Sequence, residues 1–254
     1  MSEEFNDPRL AALYDVLNPW AADSEFYFSL ASGCPGVLDL GCGTGMLACA
    51  CAERGHRVVG VDPASPMLDI ARTRAYGDRV EWVESTAQAY RSDRRFDLIV
   101  MTGHVFQFFL TDEDVQAVLG TMRRHLADGG RVAFETRNPR RRAWANWTPE
   151  RSFRTVEAAG IGKVGVWTEV NGADGDLVSY AMGFRVPGVE EALISPGTLR
   201  FLPKPALMEH LTRAGLRIDS LYGDWSRAPL SGESPEIIVV ARAWPAAVRG
   251  APGR

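Results

Sequence analysis

Lysine is nearly missing from this chain: only Lys163 and Lys204 are present among 254 residues, and the rest of the basic charge is arginine. Acidic residues outnumber basic ones, 32 to 28, for a formal net charge of −4. Proteins that grip nucleic acid through its phosphates usually present a basic face, so no nucleic-acid partner is expected. Cysteine is scarce too. Cys34, Cys42, Cys49 and Cys51 fall early in the chain and form no CxxC pair. Cys49 and Cys51 sit two apart in a helical stretch, so they point to different sides, and no Cys/His/Asp/Glu spacing suggests a metal. Reduced, buried thiols and a cytoplasmic location are the expectation. No apolar run approaches the roughly 20 residues that cross a bilayer, so no membrane partner is expected. The start, MSEEFNDPRL, lacks the basic and then apolar order of a secretory signal. Repeats and low-complexity segments are absent as well.

What is present is an ordinary globular composition, 46% apolar and 24% charged, with strands and helices in alternation. VLDL (37 to 40), VVGV (58 to 61), VEWV (80 to 83), DLIVM (97 to 101) and RVAFE (131 to 135) read as strands. Helical patterns lie between them, the order of βαβ units around a parallel sheet. Thr111 and Asp114 form a helix-starting cap pair, Val115, Val118, Leu119, Met122 and Leu126 recur at helical spacing, and Gly129 and Gly130 are expected to end that helix. From 137 to 202 the pattern changes: KVGVWTEV and LVSYAMGFRV read as antiparallel strands around NGADGD. After Pro203 and Pro205 a helix runs to Gly215, then RIDSLY and EIIVVARA close the sheet, and the tail from Pro245 to Arg254 reads as frayed. At the other end, Asp23 is expected to cap a short helix carrying Phe26, Tyr27 and Leu30. The organisation expected is a helical cap over 1–35, an α/β domain over 36–136 and 203–243, and a β-rich lid over 137–202.

The sharpest local signal is VLDLGCGTG (37 to 45), an apolar strand with Asp39 near its end, then Gly41, Cys42, Gly43 and Gly45 before the helix MLACACAERG. Glycine is needed where a strand turns sharply into a helix and a ligand approaches the backbone. A nicotinamide-binding loop would need a sixth-position glycine, where this chain has Met46. The second strand ends at Asp62, followed by Pro63 and a helix; a carboxylate there can accept two hydrogen bonds from a ribose diol.

These stretches resemble the class I S-adenosylmethionine-dependent methyltransferases, whose first motif has the form acid-x-Gly-x-Gly-x-Gly. The resemblance implies a Rossmann-like α/β fold, doubly wound around a seven-stranded sheet, and S-adenosylmethionine as cofactor. It implies that Gly41, Gly43 and Gly45 make room for the methionine portion, that Asp62 holds the ribose, and that Ala64 and Met67 flank the adenine. The usual Gly-Asp-Ala at the end of the third strand is here Ser85-Thr86-Ala87, so a hydroxyl of Thr86 takes the place of the acid that accepts from the adenine amino group. An N-terminal segment folding over the cofactor is also implied, with Tyr14 and Trp20 as candidates.

In open α/β sheets ligands bind beyond the carboxyl ends of the strands. MTGHVFQFF (101 to 109) and FETRNP (134 to 139) are therefore expected near the reacting methyl, with Thr102 beside the methionine moiety and His104, Phe106 and Gln107 within reach of an acceptor. A sulfonium methyl is already activated, so the protein must align a nucleophile, exclude water and, for some acceptors, remove a proton. His104 and Glu135 compete for that last role, Glu135 having Arg131 and Arg137 as alternative partners. His56, His125 and His210 read as a loop residue and two helix-surface residues. Tyr27, Trp144 and Trp147, with Arg137, complete the candidate acceptor site, and the exposed arginines of 140–142 and 151–154 read as solvated charge. The expected function is methyl transfer to an O, N or C atom of a small aromatic or heteroaromatic metabolite, by a monomer or homodimer. An RNA or protein methyltransferase and a non-catalytic cofactor-binding module stand as the alternatives.

Overall fold

The stretches expected as strands 1 to 5, with the two C-terminal ones, join in one seven-stranded sheet in the computed structural model, which describes residues 5–245. Along the chain come α1 (Pro8–Ala11), α2 (Tyr14–Leu17), α3 (Ala22–Leu30), β1 (Gly36–Leu40), α4 (Met46–Glu53), β2 (Arg57–Asp62), α5 (Ser65–Thr73), β3 (Val80–Glu84), β4 (Phe96–Met101), α6 (Asp112–His125) and β5 (Leu126–Arg137). There follow α7 (Pro149–Ser152), β6 (Arg154–Ala158), β7 (Gly162–Asp174), β8 (Leu177–Arg185), β9 (Leu193–Arg200), α8 (Lys204–Arg213), β10 (Leu216–Tyr222) and β11 (Glu236–Ala243). The sheet order is β10-β11-β5-β4-β1-β2-β3. β1 to β5 are mutually parallel, and β11 lies antiparallel between β5 and β10. Strand order reverses between β1 and β4, the place where such a sheet opens a ligand crevice.

Every position of β1 is buried, because a central parallel strand is covered on both faces. Side chains alternate across it: Val37 joins Leu98, Val100 and Ala133 in the layer packed by α3 and α4, whereas Leu38 and Leu40 join Ile99, Met101 and Phe134 under α6 and α8. Thr111 caps α6 as expected, its hydroxyl accepting from the Asp114 N–H at 3.1 Å.

The expected antiparallel insertion is a separate four-stranded sheet, β6-β7-β8-β9. Two of its strands, β6 and β9, escaped the sequence reading. β9 contains Pro196 and Gly197, a pair that argues against a strand, yet β9 is an edge, where a missing N–H is tolerated.

Three local expectations are corrected. α6 ends at His125, four residues before Gly129, because Leu126 is already extended and the glycines fall at an irregularity between the Leu126 and Arg131 pairings of β5. Ala21, not Asp23, occupies the cap position of α3; Asp23 lies in the first turn, where its charge suits the positive helix end. His125 and His210 are buried, not on the surface: His125 Nε2 accepts from the Ser92 N–H at 3.1 Å, and His210 lies against Gln116. The four cysteines are buried and unbridged. Of the tail read as frayed, residues 246–254 lie outside the described residues.

Candidate functional site

The glycine loop takes the shape its sequence demands, with Gly41, Gly43 and Gly45 all at positive φ. The three glycines are required for different reasons. A Cβ on Gly41 would lie 2.7 Å from the Val105 side chain, and one on Gly45 would lie 2.4 Å from the Trp82 ring. Around Gly43 the nearest neighbours are the Met67 methyl at 3.3 Å and the Tyr14 ring at 3.8 Å, because this glycine lines a cavity. Asp62, at the tip of β2, binds the loop: Oδ2 accepts from the Gly43 N–H and Oδ1 from the Ala64 N–H, both at 2.9 Å. Burial pushes its carboxyl above the ordinary range, against these two hydrogen bonds. Each oxygen keeps a lone pair for a further donor.

The cavity has a volume of about 180 Å³. Tyr14, Gly41, Gly43, Asp62, Pro63, Met67, Thr86 and Ala87 line it, as do Gln88, Val105 and Phe109, which the sequence reading did not single out. Asp39, Cys42, Gly45 and Thr102 stand outside its lining. Asp39 is buried with Oδ1 unpartnered, and burial together with the nearby Asp62 pushes its carboxyl up to about 7. Trp20 is elsewhere: its indole donates to Glu25 at 2.6 Å and its ring packs edge-on against Phe28. What ties the N-terminal segment to the loop is Asp15, which accepts from the Thr44 hydroxyl at 2.5 Å and pairs with Arg74.

A second cavity, of about 250 Å³, adjoins the first and shares Phe5, Tyr14, Gly103 and Phe108 with it. His104, Arg137 and Trp147 face it, and Tyr180, Met182 and Phe184 of β8 form a wall. The other expected acceptor residues are displaced from it. Phe106 is buried, stacked on Phe134 with centroids 4.4 Å apart. Gln107 is buried behind Arg137, accepting from its Nη1 at 2.8 Å while donating to the Arg200 carbonyl. Trp144 packs on Phe201, and Tyr27 lies within the core beneath Glu135.

Glu135 is likewise behind the cavity wall. Its carboxylate accepts from the Tyr27 hydroxyl and from the His104 N–H at 2.6 Å, and not from Arg131 or Arg137. Burial holds the Glu135 carboxyl above the usual range and the Tyr27 phenol well above its own. His104 itself has φ +61°, a backbone conformation uncommon outside glycine, and the Glu135 bond holds it there. Its ring Nε2 lies 3.0 Å from Glu236 Oε2 on β11. Glu236 carried no signal in the sequence: it is merely the first residue of an apolar strand. Among the described residues no group of three or more His, Cys, Asp or Glu could hold a metal, and no helix is long and apolar enough to cross a membrane.

An adenosyl group fits the first cavity. A buried carboxylate with spare lone pairs stands beside a glycine whose missing Cβ leaves room for it, and Met67, Ala87 and Phe109 offer apolar surface for a ring. Comparison with known proteins points the same way. A methyltransferase domain family matches residues 37–130. The chain is 31% identical over 206 residues to a cypemycin N-terminal methyltransferase from a Streptomyces species, a match covering 80% of this chain and 81% of that protein. It is 34% identical over 115 residues to a ubiquinone biosynthesis O-methyltransferase from Klebsiella pneumoniae, there spanning only 45% of the relative. Among solved structures, the CcbJ methyltransferase from Streptomyces caelestis shares the fold with a TM-score of 0.74 at 22% identity, over 94% of this chain and 98% of that one. A cofactor-binding half of this kind, continued into an extended match over four-fifths of a methyltransferase, identifies the chain as a member of the class I S-adenosylmethionine-dependent methyltransferases.

Proposed function

We propose that this methyltransferase transfers its methyl group to a nitrogen of a small amphipathic molecule held in the second cavity. The observation that carries the reading is that the two cavities meet at Tyr14, Gly103 and Phe108, with His104 at the acceptor side of the junction. The cofactor supplies a methyl on a positively charged sulfur, so a nucleophile brought into line needs no further activation of the methyl. In this reading Asp62 holds the ribose hydroxyls, Met67 and Ala87 flank the adenine, and the Gly43 backbone borders the methionine portion. The aromatic walls, Phe108, Trp147, Tyr180 and Phe184, favour an acceptor with an apolar or aromatic body.

A nitrogen acceptor must present a lone pair. Glu236 engages one ring nitrogen of His104, leaving Nδ1 as the nitrogen without a hydrogen bond to the described residues, suited to take the proton that an amine gives up. Glu135 fixes the His104 backbone without touching the acceptor. The 31% identical relative, named for methylation of a peptide N-terminus, supports nitrogen over oxygen or carbon. The test is incubation with isotope-labelled cofactor and panels of amines, phenols, peptides and bulk RNA, with labelled products identified by mass spectrometry. Label on amines supports the reading. Label confined to phenols or RNA overturns it.

A further inference from the structure

The second cavity contains a cation without a matching anion. Arg137, at the end of β5, lines it, with Nη1 bound to the neutral Gln107 amide and the guanidinium 5.6 Å over the Trp147 ring. Glu236 is the direct cross-strand partner of Arg137 in the β5–β11 ladder, and a neutralising pair would be expected there. Instead the Glu236 carboxylate turns to His104, and Glu135 on the same face of β5 turns to Tyr27 and the His104 N–H. No carboxylate among the described residues comes within ion-pair distance of Arg137.

A half-buried guanidinium without a counter-ion is costly, and desolvation lowers its pKa here, ahead of the favourable action of Glu236 and Glu135 through space. Gln107 is buried and anchored at its other end to Arg200. It therefore holds the guanidinium in place in the cavity wall, and an incoming group meets a preset fork. Arg154, also lining this cavity, adds a second positive charge; it is exposed and donates to the Leu17 carbonyl at 3.2 Å.

We propose that the methyl acceptor carries a carboxylate, which docks on the Arg137 guanidinium while its nucleophilic nitrogen stands at His104. The guanidinium fork matches a carboxylate in plane and charge. A dianion such as a phosphate fits less well, because the carboxylates of Glu236 and Glu135 lie close behind and repel the added charge. The inference rests on the second cavity being the acceptor site. It narrows the substrate class to amino-carboxylates: amino acids, their apolar derivatives, or short peptides with a free C-terminus.

The experiment uses amine pairs that differ only at the carboxyl group: L-phenylalanine and its amide, L-tryptophan and its amide, and a dipeptide with and without C-terminal amidation. Methyl incorporation is measured for the wild type, Arg137→Gln and Arg137→Lys, alongside calorimetric binding of S-adenosylhomocysteine. The acids should be methylated with kcat/KM about tenfold or more above the amides. Arg137→Gln should abolish that preference by raising KM for the acids, Arg137→Lys should restore part of it, and S-adenosylhomocysteine should bind all three proteins alike. Amides that match the acids in the wild type, or a preference that survives Arg137→Gln, would overturn the assignment of Arg137 while leaving the acceptor cavity standing. If no pair is methylated although S-adenosylhomocysteine binds, the amine-acceptor reading itself fails, and this inference with it.

Discussion

His104 and Glu236 are 132 positions apart in the chain, yet the imidazole Nε2 lies 3.0 Å from the carboxylate Oε2. The bond joins the turn after β4 to the first residue of β11 and sets the ring's orientation at the junction of the two cavities. If the imidazole takes a proton from the acceptor, Glu236→Gln should lower kcat about tenfold, and His104→Ala should lower it about 10²- to 10⁴-fold. Adding Glu236→Gln to His104→Ala should cost nothing further, since the carboxylate acts through the ring. Affinity for S-adenosylhomocysteine, measured by calorimetry, should be unchanged in all three. Full activity in His104→Ala would remove the histidine from the chemistry.

Asp62→Ala should weaken S-adenosylmethionine and S-adenosylhomocysteine equally, because both present the same ribose. Loss of a charge-assisted acceptor costs about 1.5–3 kcal/mol, which is roughly 10- to 100-fold in Kd. The same carboxylate also ties Gly43 and Ala64, so a thermal melt without cofactor serves as the companion measurement. Equal affinity in wild type and variant would move the adenosyl group away from β2.

The glycines of the loop should separate in their effects. Gly45→Ala meets both a φ of +75° and the Trp82 ring, and should cost about 2–4 kcal/mol of folding stability in a denaturation experiment. Gly55→Ala has a similar φ but open space around it, and should cost about 1 kcal/mol. Gly43→Ala projects its methyl toward Met67 and Tyr14, so its larger loss should be in cofactor affinity.

Asp39 links stability to pH. Burial, and then the charge of Asp62, raise its carboxyl from an ordinary value of 3.8 to about 7. From about pH 4 to 7 the folded chain keeps a proton that the unfolded chain releases, so the contribution is full at low pH, falls as pH rises through that window and levels off above it. Asp39→Asn should remove that part of the slope. Denaturant midpoints of wild type and variant across the window check it, and parallel curves would refute it.

The two tryptophans near the insertion should part company. Trp147 faces the second cavity, so Trp147→Ala should raise the acceptor KM about tenfold with little effect on cofactor affinity. Trp144 packs on Phe201 and lines neither cavity, so Trp144→Ala should cost about 2 kcal/mol of stability and leave KM near the wild-type value.

The sequence by itself determined what short windows of chain determine physically. The short, near-continuous apolar runs VLDL and VVGV set strands buried on both faces, Thr111 caps its helix with a residue three positions away, and Gly41, Gly43, Gly45 and Asp62 specify a strand-to-helix turn beside an acid because backbone dihedrals and adjacent strand ends are local matters. The β5–α8 insertion was legible in its two strong strands but not in β9, whose Pro196 is acceptable only at a sheet edge, and being an edge is a property of the whole sheet. The second cavity was decided by tertiary structure. Its wall takes Tyr14 from the N-terminal segment, His104 from the turn after β4, Arg137 from β5 and Tyr180 from the insertion. Which carboxylate meets which cation there depends on strand pairing across about a hundred residues. That pairing gave Glu236 to His104, put Glu135 on Tyr27 and left Arg137 facing the cavity, an outcome of packing that no local pattern of charge contains.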